Sequence, residues 1–132
     1  SNSVDLAKEL PDESQARSCL EVKIWNTYDD DWAMRSLEVD HMAQSEFKVY
    51  PLTLVQGMDY QFIACSEEKT DAIQLSIYDD KGNILTENKV NGRELLLEWN
   101  SDKTQDIFLS VQSFVNDQEV KQMGTSVGIL YR

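Results

Sequence analysis

Short alternating runs of apolar and polar residues fill the second half of the chain, and tight-turn residues separate them. The pattern predicts strands over residues 57–65, 72–78, 84–90 and 94–99. Residues 79–83, with the sequence Asp-Asp-Lys-Gly-Asn, predict a turn between the second and third of these strands. Asn91-Gly92 follows the third strand, and both residues tolerate the positive φ of a type I′ turn, so this dipeptide predicts another hairpin.

An amphipathic pattern earlier in the chain predicts one N-terminal helix over about residues 12–27. Asp12 can cap the helix, and Gln15 lies three residues further on, as in a capping box. Apolar side chains then recur at helical spacing, at Ala16, Cys19, Leu20, Ile24 and Tyr28. A strand is the competing interpretation, because Leu20, Val22 and Ile24 also alternate with polar residues. We favour the helix.

Further strands are predicted on both sides of the central run, over residues 32–42, 46–55, 107–114 and 125–131. Pro51 interrupts the second of these, so we expect an edge strand or a bulge there. Seven to eight strands with close turn signals predict a mainly-β fold, an antiparallel β-sandwich or jelly roll with one N-terminal helix. We interpret residues 1–132 as a single domain, with residues 1–11 frayed, about 12–27 helical and about 32–132 in the sandwich.

The charge balance narrows the classes of partner. Asp and Glu total 24 and Lys and Arg total 12, which gives a net charge of -12. A nucleic acid needs clustered Lys and Arg, and an anionic membrane would repel this chain, so neither partner is expected. No run of about 18 apolar residues occurs, so membrane insertion is not expected either. The acidity serves solubility in the simpler interpretation, and binding of cations or of a basic partner in the alternative.

Cys19 and Cys65 are the only cysteines. They are too few for a cysteine-rich metal site, and His41, the only histidine, cannot complete one. The two thiols are either buried and reduced, or joined in a disulfide that ties the helix to a strand and indicates an oxidising compartment. No signal peptide is visible, but Ser1-Asn2-Ser3 is not typical of a native start, which leaves a removed export signal open.

No catalytic pattern is convincing. Residues 124–128, with the sequence Gly-Thr-Ser-Val-Gly, match the nucleophile-elbow pattern, but that motif needs a following helix and a later His. The few residues after Gly128 instead continue a strand. His41 lies far upstream beside Asp40, and we interpret it as structural or surface-exposed. We therefore predict that the chain is not an enzyme.

The candidate binding residues lie between the helix and the first strand of the sandwich. Asp29, Asp30 and Asp31 are three adjacent carboxylates where backbone carbonyls are also available, which is a ligand set that suits Ca²⁺. We hypothesise a weak calcium site there, with a solvated loop as the simpler alternative, and expect no other cofactor. Trp32 follows directly; we expect it to be exposed and to contact a ligand or partner.

Three segments resemble the bacterial pre-peptidase C-terminal domain. They are residues 54–62 (Leu-Val-Gln-Gly-Met-Asp-Tyr-Gln-Phe), residues 71–83 with the motif Leu-x-Ile-Tyr-Asp-x-x-Gly-Asn, and residues 107–111 (Ile-Phe-Leu-Ser-Val). The resemblance covers about half of the chain. It implies a jelly-roll or sandwich module of a secreted protein that assists export, folding or substrate association, and some members bind Ca²⁺ or polymeric substrates. The predicted helix and Cys19 lie outside it.

We therefore expect a non-catalytic accessory or binding module of an exported bacterial protein, located in the periplasm or outside the cell. The expected partner is a protein or a polymeric substrate. Two alternatives stay open: a structural or protein-interaction domain of a cell-envelope assembly without a small ligand, and an enzyme of unrecognised type. The oligomeric state is not predictable from these patterns.

Overall fold

A computed structural model of the chain describes residues 10–27 and 31–132. Most of the predicted frayed segment, residues 1–9, lies outside the described residues. The described elements are one helix and eight strands, in the order α1 (Glu13–Thr27), β1 (Ala33–Ala43), β2 (Lys48–Leu54), β3 (Asp59–Ser66), β4 (Ala72–Asp79), β5 (Ile84–Asn91), β6 (Glu94–Asn100), β7 (Gln105–Phe114) and β8 (Gln122–Tyr131). In this part of the chain no helix is long and apolar enough to cross a membrane.

The strands form two four-stranded antiparallel sheets that pack face to face. The first sheet has the order β1-β8-β3-β6 and the second β2-β7-β4-β5. Alternate apolar side chains of both sheets meet between them, including Phe62, Leu75, Leu97 and Leu109. The predicted mainly-β sandwich is confirmed. Pro51 lies in β2 at an edge of the second sheet, as its missing N–H requires.

The helix α1 forms a third layer on the outer face of the first sheet. Leu20 and Ile24 pack against Ile63, Cys65 and Leu130 of β3 and β8. The helical interpretation of this segment is confirmed, and the competing strand is wrong, because a 3.6-residue period is needed to bring these side chains onto one sheet.

The helix N-terminus forms only half of the predicted capping box. The Asp12 carboxylate accepts a hydrogen bond from the Gln15 N–H, with N and Oδ1 2.9 Å apart. The Gln15 side chain does not reach back to Asp12. Its carbonyl oxygen accepts from the Glu68 N–H at 2.6 Å, and the Asp12 N–H donates to the carboxylate of Glu67. The loop after β3 therefore completes the cap.

A disulfide joins Cys19 of α1 to Cys65 of β3, with the two Cα atoms 5.9 Å apart, a separation usual for disulfides. Beside it, the hydroxyl of Ser126 lies 2.7 Å from the carbonyl oxygen of Ala16 and 2.9 Å from that of Cys65. Ser126, the serine of the nucleophile-elbow pattern, thus lies within β8 and links the helix to the first sheet.

The hairpin predicted at Asn91-Gly92 is wrong. Strand β5 belongs to the second sheet and β6 to the first, so these residues carry the chain between sheets. Gly92 does have positive φ, 125°, but its N–H donates to the carbonyl of Asp71 at 2.6 Å instead of closing a turn between β5 and β6. Strand β6 pairs with β3, where Leu95 and Leu97 reach the core. Burial of these leucines outweighs the local hairpin preference.

Candidate functional site

The helix leaves one end of the first sheet's outer face uncovered, and polar side chains lie in rows across it. Asp59 of β3 lies opposite Asn100 of β6, and Gln61 lies opposite Glu98. On the other side of Asp59, its N–H and carbonyl both bond to the backbone of Arg132, at 3.0 and 3.1 Å. Side chains two residues apart on a strand share a face, so these four polar side chains lie on the same face of the sheet. Strands β3 and β6 and the C-terminal end of β8 therefore converge here.

These residues line a cleft of about 560 Å³, here called the end cleft. Its lining residues are Trp32, Asp59, Tyr60, Gln61, Glu98, Trp99, Asn100 and Arg132. One oxygen of Asp59 accepts from the side-chain amide of Asn100 at 2.7 Å, and one oxygen of Glu98 accepts from that of Gln61 at a long 3.4 Å. The remaining carboxylate lone pairs can accept from a ligand. No Ser, Cys or His is present among these lining residues.

Two buried polar atoms at the end cleft have no hydrogen-bond partner among the described residues. They are the side-chain carbonyl oxygen of Gln61 and the indole nitrogen of Trp99. Gln61 is only 9% exposed, and it lines the cleft. Leaving such a group unsatisfied costs about 1–3 kcal/mol, so a hydrogen-bond partner that reaches these atoms is favoured by that amount.

The expected exposure of Trp32 is wrong. Trp32 is 9% exposed, and it packs with Leu130 in the layer between helix and sheet. The guanidinium carbon of Arg132 lies 4.5 Å from the centre of its ring, a cation–π contact that covers one face. The largely exposed tryptophan is Trp25 on the helix. Trp32 still lines the end cleft, so its predicted role toward a ligand or partner stays a prediction.

Of the three residues of the predicted calcium site, the structure describes only Asp31. Asp29 and Asp30 lie outside the described residues. Asp31 is exposed in a turn with φ of 63°. The sets of three or more metal-ligating side chains found in the described ranges do not include Asp31. They are Glu13, Asp40 and His41, and a second set of Cys19, Cys65 and Glu94, whose two sulfurs are joined in the disulfide and are not free to bind a metal. The calcium site therefore stays a prediction.

The other acidic pair is part of a turn. The Asp79 carboxylate accepts from the N–H groups of Asn83 and Lys81, at 2.8 and 2.9 Å, and from the Asn83 side chain at 3.1 Å. These bonds, the Asn83 N–H first, lower the pKa of Asp79 below its usual 3.8. Asp79 thus stabilises the β4–β5 turn. His41, the one histidine, lies with its Nδ1 2.7 Å from a carboxylate oxygen of Glu13.

Sequence reasoning missed most of the end cleft. Asp59 and Gln61 alternate in β3, and Glu98 and Asn100 alternate in β6, so each pair could be assigned to one face of its strand. The juxtaposition of the two pairs depends on β3 pairing with β6, and two strands of the other sheet separate them in the chain. Arg132 follows β8 and carried no local signal.

Comparisons with known proteins identify the fold. No protein-family model and no curated protein matches the sequence. The structure is similar to the pre-peptidase C-terminal domain of a Bacillus anthracis collagenase, with a TM-score of 0.51 and 12% identity over 70% of this chain and 87% of that one. It is also similar to a periplasmic inhibitor of g-type lysozyme from Aeromonas hydrophila, with a TM-score of 0.52 and 9% identity over 74% and 85%.

The TM-scores of 0.51 and 0.52 establish a shared fold. The identities of 12% and 9% are too low to show that functional residues are shared. The fold likeness to a pre-peptidase C-terminal domain agrees with the family resemblance in the sequence, although the helix and Cys19 lie outside that resemblance.

Proposed function

We propose that this chain is a non-catalytic binding module of an exported bacterial protein, and that it binds a partner through the end cleft. Two proteins with this fold support the general role, because one is a domain carried by a collagenase and the other inhibits a lysozyme. The Cys19–Cys65 disulfide supports export, since such bonds persist in oxidising compartments.

The observation that carries the proposal is the unpartnered acceptor of Gln61, in a cleft that the carboxylates of Asp59 and Glu98 also line. Asp59 and Glu98 line the same cleft as Gln61, so the cleft presents three side chains with acceptor oxygens to a donor that enters it. A lysine ammonium offers three N–H donors and an arginine guanidinium offers five. A basic side chain of a partner is therefore the group best suited to donate hydrogen bonds to these acceptor oxygens.

The charge of the whole chain favours the same kind of partner. A net charge of -12 attracts a basic protein over distances of about 8–10 Å at ordinary salt and raises the rate of encounter. Arg132 is the one cation among the lining residues, and its guanidinium lies over the Trp32 ring. The partner's cation is thus expected nearer to Glu98 than to Trp32.

Calorimetric titration with a lysozyme, as a basic protein, and with a short oligolysine peptide tests this function. Glu98→Ala should weaken binding of at least one probe about tenfold, since a charge-assisted hydrogen bond contributes about 1.5–3 kcal/mol. Glu98 is exposed, so its loss should leave the fold intact.

Glu94→Ala is the matched control. Glu94 lies on the same strand and the same face, its charge is identical, and it pairs with Lys23 of the helix away from the end cleft. Its loss should change the affinity less than twofold. Equal losses of affinity in the two variants would show that binding depends only on general electrostatic attraction. Absence of binding by both probes would contradict the proposed function.

A further inference from the structure

The outer face of the second sheet carries a second pocket, on the opposite side of the sandwich from the helix. It has a volume of about 120 Å³, and Phe47, Gln74, Ser76, Tyr78, Ser110 and Gln112 line it. We call it the sheet pocket. It shares no lining residue with the end cleft.

Strand register builds the floor of this pocket from uncharged hydrogen-bonding side chains. Gln74 of β4 lies opposite Gln112 of β7, and Ser76 lies opposite Ser110, so two amides and two hydroxyls form a block. Their neighbours Leu75 and Val111 point into the core, which fixes the four polar side chains outward. A rigid sheet therefore presents both donors and acceptors in a set arrangement.

Much of this hydrogen-bonding capacity is unused. Ser110 is 9% exposed, lines the pocket, and its hydroxyl has no partner among the described residues. The Gln112 amide also has no side-chain partner in this part of the chain. Gln74 and Ser76 donate to one oxygen of Glu87, at 3.4 and 3.3 Å, which are long and weak bonds.

Aromatic rings flank the polar floor. Phe47 is 57% exposed, immediately before β2, and Tyr78 lies at the end of β4, where it is opposite the partly exposed Phe108. The exposed ring of Phe47 offers an apolar face that a ligand can cover. The pocket thus combines a flat apolar wall with hydroxyl and amide groups at its base.

The charge of the sheet pocket differs from that of the rest of the chain. None of its six lining residues is charged, although the chain carries 24 acidic residues. Glu87 borders the pocket through its weak bonds from Gln74 and Ser76, and the Lys89 ammonium lies 4.1 Å from the centre of the Phe114 ring. The net charge of -12 repels an anionic ligand, and no charged side chain lines the pocket itself.

We infer that the sheet pocket binds a sugar unit of a neutral polysaccharide. A sugar ring has an apolar C–H face that can cover an aromatic side chain, and a rim of hydroxyls that both donate and accept. Gln112, Gln74 and Ser110 match that rim, and Phe47 matches the face. The sheet pocket lies on the opposite sheet from the end cleft, so this site is independent of the proposed function.

Affinity electrophoresis in gels that contain arabinoxylan, mixed-linkage β-glucan or hydroxyethyl cellulose tests the inference, with polygalacturonate as the acidic comparison. At least one neutral polymer should retard the chain, and polygalacturonate should not. Phe47→Ala and Gln112→Ala should each weaken that binding about tenfold, because each removes a principal contact.

Two variants act as controls. Phe108→Ala removes an exposed aromatic side chain on the same face that does not line the pocket, and it should bind as the wild type does. Glu98→Ala removes the end-cleft carboxylate and should also leave polymer binding unchanged. The inference is overturned if all three neutral polymers leave the migration unchanged, if polygalacturonate retards the chain as strongly, or if Phe47→Ala binds like Phe108→Ala.

Discussion

Glu67 is the clearest case of one buried side chain that organises its surroundings. It is 2% exposed, directly after β3, and its carboxylate accepts from the Asp12 N–H and the Gly124 N–H. The Lys69 ammonium lies 2.7 Å from its other oxygen and also donates to the Leu10 carbonyl at 3.0 Å. The helix start, β8 and the loop after β3 therefore meet at one carboxylate.

Replacing Glu67 by Ala should lower the free energy of unfolding by about 3–5 kcal/mol. The substitution removes the buried member of an ion pair whose lysine is partly exposed, and it leaves two backbone donors without their acceptor. Urea denaturation compares it with Glu68→Ala, which removes the adjacent and exposed carboxylate and should cost under about 1 kcal/mol. Similar losses in the two variants would show that Glu67 is not the organising contact.

Tyr50 makes stability depend on alkaline pH. Burial, and then the nearby carboxylates of Asp40 and Glu38, raise the pKa of its phenol from 10.0 to about 12. The folded state therefore holds this proton more tightly than the unfolded chain does. The resulting stabilisation is complete below pH 10 and is lost as the pH rises from 10 toward 12.

Ultraviolet absorbance titration should detect one tyrosine that ionises near pH 12, and Tyr50→Phe should remove that step. Denaturation at several alkaline pH values should show a smaller fall in stability for the variant than for the wild type. An unchanged titration curve in Tyr50→Phe would contradict the assignment.

Among single residues, prediction from sequence succeeded for Asp12 and Pro51, whose signals are local. Asp12 was identified as a cap from its own position, and Pro51 as an edge residue from its missing donor. The exposure of Trp32 was misjudged because its burial depends on Leu130 and Arg132, which lie at the far end of the chain. Glu67 gave no signal for the same reason.

At the scale of elements, glycines and a covalent bond let the helix approach the first sheet closely. A Cβ on Gly124 would lie 2.5 Å from the Asp12 carbonyl oxygen, and one on Gly128 would lie 3.0 Å from the Ile24 side chain. The atoms that a side chain at Gly124 would meet belong to the backbone, which cannot move aside as the end of a flexible side chain can. Gly124 therefore marks the closest approach of helix and sheet. The disulfide secures the helix at Cys19 and Cys65.

Removing the disulfide with Cys19→Ala/Cys65→Ala should lower the free energy of unfolding by about 4 kcal/mol, on the chain-entropy model for a separation of 46 residues. The covalent link restricts the unfolded chain, so the native fold should persist. Denaturant titration of oxidised wild type, reduced wild type and the double variant measures the effect.

Reduced wild type and the double variant should unfold at similar denaturant concentrations, and the unreduced wild type should have the mass of a chain with two hydrogens fewer. Two alkylatable thiols in unreduced protein would contradict the bond.

The helix α1 was predictable from helical periodicity. The Asn91-Gly92 hairpin prediction failed because β5 and β6 gain more by pairing in separate sheets.

At the scale of the whole molecule, strand number and spacing predicted a sandwich, but the membership of each sheet needed long-range pairing. Hydroxyls of Ser66, Ser113 and Thr125 lie 2.7–2.9 Å from one another in a buried ring that connects β3 and β8 with β7 of the other sheet. Each can donate to the next, so the ring satisfies itself. Three single hydroxyls far apart in sequence give no pattern that predicts such a contact.

The net charge of -12 also governs how the chain responds to cations, and it frames the calcium hypothesis for Asp29, Asp30 and Asp31. If these carboxylates chelate Ca²⁺, millimolar Ca²⁺ should raise the midpoint of thermal unfolding by mass action. NaCl at equal ionic strength should raise it less. Asp29→Asn/Asp31→Asn should lose the difference between the two salts, because amide oxygens bind Ca²⁺ more weakly than carboxylates.

Asp80→Asn/Asp102→Asn is the matched control, since it removes two exposed carboxylates elsewhere and leaves the same net charge. If both double variants respond to Ca²⁺ alike, the ion acts by screening a highly acidic chain and the Asp triplet is a solvated loop. If only Asp29→Asn/Asp31→Asn loses the response, the triplet is a specific site. Because Trp32 joins that segment to the end cleft, a cation bound there would also lower the negative potential that is expected to attract a basic partner.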